Sequence, residues 1–131
     1  MIEETVARWH TMLESKDTSI LEELLADDVT FHSPVVHTPQ EGKAITTLYL
    51  SAANQVFTAG EFKYVREVID GNNAVLEFQT ELDGIHINGV DMIRCNEAGR
   101  IVDFKVMVRP LKAINLLHQK MGEMLQQLAA G

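Results

Sequence analysis

Residues 74–108 read AVLEFQTELDGIHINGVDMIRCNEAGRIVDFKVMV. Three strand-like stretches, Ala74–Leu82, Ile85–Cys95 and Arg100–Val108, are separated by Asp83-Gly84 and by Asn96-Glu97-Ala98-Gly99. Each connection carries a glycine for a turn residue with positive φ. Connections this short make the joined strands antiparallel neighbours. In the first stretch Ala74, Leu76, Phe78, Thr80 and Leu82 oppose Glu77, Gln79 and Glu81. In the last, Val102, Phe104, Val106 and Val108 oppose Asp103, Lys105, Met107 and Arg109. Both strands therefore carry one apolar and one largely polar face, as expected of an antiparallel sheet packed on one side only. A fourth strand, Phe62–Ile69, precedes them across Asp70-Gly71-Asn72-Asn73.

Upstream the period changes. Ile2, Val6, Trp9 and Leu13 fall on one face of a helix over Ile2–Ser15. Lys16 to Ser19 breaks it. A second, short helix follows with Asp17 or Ser19 as N-cap, Ser19 and Glu22 having capping-box spacing. Leu21, Leu24 and Leu25 form its stripe, Asp27-Asp28 ends it, and Val29–His32 reads as a short strand. Ser33–Gly42, with Pro34 and Pro39, is an ordered loop. A third helix spans Lys43–Phe57, with Ile45, Leu48, Tyr49, Ala52 and Val56 on one side. Pro110 opens a C-terminal helix with a stripe of Leu111, Ile114, Leu117, Met121, Leu125 and Leu128. The expected fold class is α+β, with helices over a strongly curved, mostly antiparallel sheet. A chain of 131 residues fits one domain over 1–131.

Composition narrows the function. The chain is 46% hydrophobic and 23% charged, enough for a core and too apolar for disorder. A net charge of -8, with Lys and Arg scattered, argues against nucleic acid, whose binders present a basic stripe. No run approaches the roughly 18 to 20 apolar residues of a membrane span. The N-terminus lacks a signal-peptide pattern. The single cysteine, Cys95, fits a reducing cytoplasm; a buried, inert thiol is its expected state.

The residue that breaks the core pattern is Asp91. Side chains alternate along Ile85–Cys95, so Asp91 points the same way as Ile87 and Ile93. If that face is the inner one, a carboxyl sits among aliphatic side chains. An ionised carboxylate there is costly unless it is paired, gathers donors or takes up a proton. Desolvation raises such a pKa by as much as about 3 to 5 units, which makes Asp91 a candidate acid–base group.

The pattern as a whole resembles the NTF2-like superfamily, and within it the SnoaL-like and ketosteroid-isomerase-like branch. The carriers are the first helix with Trp9, LEELLADDVTFHSPV over Leu21–Val35, the helix after Gly42, and GVDMIRCNEAGRIVDFKV over Gly89–Val106. The resemblance implies a cystatin-like cone, a bent sheet around a cavity with helices closing its mouth, the last helix being an addition. It also implies a pocket for a small hydrophobic molecule, and a homodimer formed through the outer sheet face. Ketosteroid isomerases place an Asp base just before the Pro-Val of the first strand's exit loop, where this chain has Ser33. They place an oxyanion-donating Tyr on the first helix, where this chain has Trp9. Their second donor, a protonated Asp, matches Asp91. With the base replaced, classical steroid isomerisation is not expected. SnoaL-type cyclases also use a deep Asp, with a His nearby, a role open to Asp91.

His32 and His37 flank the loop near the expected mouth and are candidate assistants to Asp91. Their spacing in a loop fixes no ligand geometry, so no metal is expected, and no cofactor. Ser33 lacks the surroundings of a nucleophile and is expected to hydrogen-bond within its turn. Trp9, Ser33, Tyr49, Phe78, Ile93, Phe104 and Val106 are the expected pocket walls. Three functions stay open at this point: a lyase, isomerase or cyclase acting through Asp91, a small-molecule binder without turnover, or an interaction module.

Overall fold

The computed structural model describes residues 2–130. Its elements are α1 (Ile2–Ser15), a 3₁₀ turn (Thr18–Ile20), α2 (Leu21–Leu24), β1 (Leu25–His32), β2 (Gln40–Glu41), α3 (Lys43–Phe57), β3 (Lys63–Asp70), β4 (Asn73–Leu82), β5 (Ile85–Cys95), β6 (Ile101–Arg109) and α4 (Leu111–Ala130). The six strands form one sheet in the order β2-β1-β6-β5-β4-β3. β3 to β6 are successive antiparallel neighbours, as their short glycine-bearing turns require. β1 lies parallel to β6, which makes the sheet mixed. Register shifts interrupt the ladders between Leu25 and Thr30, Tyr64 and Arg66, and Arg94 and Cys95. Each inserts a local bend, and together they curl the sheet. The result is the NTF2-like, cystatin-like α+β fold.

α1 packs on β4, α3 on β1 and on α4, and α4 on β5 and β6. The core lies between these helices and the inner sheet face, around Leu76, Phe78, Ile87 and Phe104 from the sheet, Ile2 and Met12 from α1, Leu50 from α3 and Leu117 from α4. Gly89 admits one close approach. A Cβ there would stand 2.5 Å from Phe78 Cζ and 2.8 Å from the Met107 carbonyl. The missing side chain lets the Phe78 ring lie across β5.

Several local expectations are corrected. The helix expected to reach Asp27 stops at Leu24, and Leu25 to Asp28 belong to β1. Leu24 and Leu25 are both buried, but as helix end and strand start. Asp17 caps the 3₁₀ turn, its Oδ1 accepting from the Ser19 amide and hydroxyl, while α2 follows from Ile20 with no side-chain cap of its own. Thr46, Leu50 and Asn54 join Ala52 and Val56 on the buried side of α3, while Ile45, Leu48 and Tyr49 are only half-buried. On α4, Leu111 is 71% exposed and Ala113 takes the buried place. The loop after β1 contains the two-residue β2, paired antiparallel to Thr30 and Phe31.

Candidate functional site

Asp91 points inward. It is 6% exposed and lies on β5 between Leu76 of β4 and Val106 of β6. Tyr64, at the start of β3, pairs with Phe78, which in turn pairs with Gly89. From there the Tyr64 hydroxyl reaches over β4 and donates to Asp91 Oδ2 at 2.5 Å. Its oxygen accepts from the indole Nε1–H of Trp9, on α1, at 2.8 Å. Three elements distant in sequence thus supply one directional relay, indole to phenol to carboxyl. The Phe104 ring supports Trp9 from below, centroid to centroid 4.9 Å.

Burial pushes the Asp91 carboxyl up to about 7, against the partial opposition of the Tyr64 hydrogen bond. The Tyr64 phenol is raised well above its ordinary value, first by burial, then by the neighbouring Asp91 charge. Near neutrality Asp91 therefore exchanges a proton readily while Tyr64 stays protonated and donates.

Asp91, Tyr64 and Trp9 line a narrow chamber of about 30 Å³ beneath Leu50, Asn54 and Phe57 of α3. A water needs about 10 to 15 Å³ of such space, so the chamber has room for one or two. Ala53, Phe57 and Val106 also line a larger apolar groove of about 220 Å³ between α3, α4 and the loop after β1. On the opposite side Leu13, Phe62 and Tyr64 are shared with a polar hollow of about 350 Å³ that includes His10, Glu14 and Lys63. His10 sets its ring edge-on to Tyr64, centroids 5.0 Å apart, and pairs with Glu67 at 3.0 Å.

Of the residues singled out in the sequence, Trp9, Phe78, Asp91, Phe104 and Val106 line the chamber. Ser33 and Tyr49 line the apolar groove. Ile93 is buried on the same strand face, without reaching either. Neither histidine is brought to Asp91. Phe31 pairs with Phe104 and turns inward, so its neighbour His32 turns outward and meets Asp103 at 2.9 Å. His32 and His37 line a separate hollow with Lys105 and Met107. Ser33 Oγ accepts from the amides of Val35 and Val36, as a turn hydroxyl. Cys95 is buried, and burial pushes its thiol up.

Two polar residues of the site, Tyr64 and Asn54, went unrecognised in the sequence, along with the apolar walls Leu13, Leu50, Ala53, Phe57 and Phe62. Tyr64 shares its parity with Phe62, but the irregularity at Val65 hides the alternation that would have marked an inward face. Asn54 stands four residues after Leu50 and three before Phe57, the helical spacing of a chamber-facing position. Among the described residues no group of three or more His, Cys, Asp and Glu side chains could hold a metal ion, and no helix is long and apolar enough to cross a membrane.

The SnoaL-like domain family matches residues 6–104. No curated protein matches the chain. Among solved structures, a steroid delta-isomerase from Pseudomonas aeruginosa is 37% identical, with TM-score 0.93 over 99% of this chain and 95% of that one. An uncharacterised protein with a cystatin-like fold from Silicibacter pomeroyi is 35% identical, with TM-score 0.84 over 91% of this chain and 83% of that one. A putative SnoaL-like polyketide cyclase from Jannaschia, at 12% identity, shares the fold with TM-score 0.71 over 87% of this chain and 89% of that one.

Proposed function

Because the chain belongs to the SnoaL-like family, we propose that it binds a small, largely apolar carbonyl compound and moves a proton on it through Asp91. The observation that carries this reading is the buried Asp91 carboxyl, held up at about 7 and addressed by Tyr64. A general base works best when its pKa lies near the operating pH. The ionised carboxylate takes a proton from the carbon next to the carbonyl, and the electron pair passes to the carbonyl oxygen as an enolate. The resulting carboxylic acid returns the proton, at the same or a conjugated carbon. Once Asp91 has taken the proton it no longer needs the Tyr64 hydrogen bond, and the Tyr64 hydroxyl is then free to turn from Oδ2 to the oxyanion, its donation strengthened by the Trp9 N–H.

Likeness to a protein described as a steroid delta-isomerase supports proton-shift chemistry in general. Ser33, where ketosteroid isomerases have their base, is bound into its own turn and lines the groove. We therefore assign the base to Asp91, a different distribution of the proton-transfer steps. The apolar groove beside the chamber suits the bulk of the ligand, with Phe57 as the common wall that must turn aside. The test is exchange of the α-protons of a panel of cyclic and aromatic ketones in D₂O, followed by NMR. Asp91→Asn is expected to lower exchange by about 10² or more. Equal exchange in wild type and variant removes Asp91 from the chemistry.

The small volume of the chamber favours a second reading, in which the groove alone holds a ligand and nothing is turned over. Saturable binding without exchange of any probe would select it. In either case we propose a homodimer through the outer sheet face, where Val68, Val75, Val90, Met92 and Met107 adjoin in the strand registers. Val68, Met92 and Met107 are 52%, 36% and 50% exposed, apolar surface that a second copy would cover.

A further inference from the structure

Asn54 is 4% exposed in the middle of α3, and its Oδ1 is buried without a hydrogen-bond partner. Its main chain is well held, because its carbonyl accepts from both the amide and the hydroxyl of Thr58. The side chain is what is left over. Among the described residues three other buried side-chain oxygens lack partners, those of Thr46, Thr47 and Thr80, but none of these residues lines the chamber. Asn54 does, together with Asp91.

An orphaned buried amide end costs about 1 to 3 kcal/mol. A leucine in the same place would remove that cost and fill a similar volume. No protein group meets the amide oxygen, so it is left to what enters the chamber: a water in the free protein, or a ligand group that takes the water's place. We infer that Asn54 is a specificity-determining residue that receives a hydroxyl of the ligand, so that the ligand class is a hydroxy-ketone: an apolar ring or chain with a carbonyl for the Asp91–Tyr64 pair and a hydroxyl for Asn54. A hydroxyl both donates and accepts, so it meets either end of the amide. The aromatic walls Trp9, Phe57, Phe62, Phe78 and Phe104 suit a flat ring once Phe57 turns aside and opens the chamber to the apolar groove. The inference rests on the carbonyl reading above and adds to it a second anchor at the opposite wall.

The probes are acetophenone and its three ring-hydroxylated isomers, with binding read from the emission of Trp9, the one tryptophan of the chain. In wild type at least one hydroxyacetophenone is expected to bind about tenfold or more tightly than acetophenone, the worth of one buried hydrogen bond. In Asn54→Leu that preference falls to within about twofold while acetophenone itself still binds. Asn54→Ala, which asks less of the packing, is expected to lose the preference in the same way. The melting temperature is expected to rise in Asn54→Leu, the opposite of what a structural amide would do. A hydroxyl preference that survives both substitutions overturns the inference, as does its absence in wild type when acetophenone binds; both outcomes leave the carbonyl reading standing. A lower melting temperature in Asn54→Leu also overturns it, by showing that the amide has a structural partner. Failure of all four probes to bind wild type overturns the inference and the carbonyl reading together.

Discussion

Replacing Asp91 by Asn removes a charge and leaves an acceptor for the Tyr64 hydroxyl, so the substitution isolates the ionisation from the packing. In the folded chain the carboxyl is held at about 7 instead of its ordinary 3.8. At about 1.4 kcal/mol for each tenfold change, ionising it in place costs about 4 kcal/mol. The sign follows from proton binding. Between about pH 4 and about pH 7 the folded chain keeps this proton and the unfolded chain has lost it, so stability falls as pH rises and levels off above about 7. Asp91→Asn cannot titrate, so it lacks this fall. Urea unfolding of both proteins at several pH values gives the measurement, and subtracting one curve from the other cancels every other titrating group. The variant is expected to gain about 4 kcal/mol on wild type between about pH 4 and about pH 8. Parallel curves would refute a raised, buried carboxyl, and with it the base assigned to the proposed chemistry.

Tyr64→Phe removes the hydrogen bond that holds Asp91 down, so the falling limb of the same stability curve should extend to higher pH. Gly89→Ala adds a Cβ against Phe78 Cζ and the Met107 carbonyl, and should destabilise by about 2 to 3 kcal/mol in urea unfolding, whereas alanine at an unobstructed strand position would stabilise. Phe57→Ala should join chamber and groove, tighten the binding of acetophenone, and cost about 1 to 2 kcal/mol because the ring is only half-buried. Met107→Asp, on the outer face, should shift the protein to monomer in light scattering without changing its melting curve at low concentration.

The sheet was legible because its signals are local. Asp83-Gly84 and Asn96 to Gly99 fix turns, and alternation in β4 and β6 fixes faces. Asp91 could be placed by the same counting, since β5 keeps its period from Ile85 to Arg94. Where the period was interrupted the reading failed. Leu21 to Asp28 satisfies a helical stripe and a strand start equally well, and only pairing with Ile101 of β6 decides that Leu25 is extended. Tyr64 lies beside a bulge that breaks the alternation. His32 was placed near the mouth by its position in the chain, but the parity that turns Phe31 inward turns it toward Asp103. Asn54 was hidden by its company, one amide in a helix read for its apolar stripe.

The parallel pairing of β1 with β6 also bears on how the chain is assembled. β3 to β6 can zip up as consecutive hairpins, each strand meeting one that has just been made. β1 has only the two-residue β2 as a local neighbour; its long partner is β6, far along the chain, as Phe31 meets Phe104. Until then β1 lacks its long partner, and closure of that one long-range seam is expected to be slower than formation of the hairpins. The hydrogen bonds from Trp9 through Tyr64 to Asp91 likewise join α1 to β3 and β5, so they are complete only once the first helix has docked on a formed sheet.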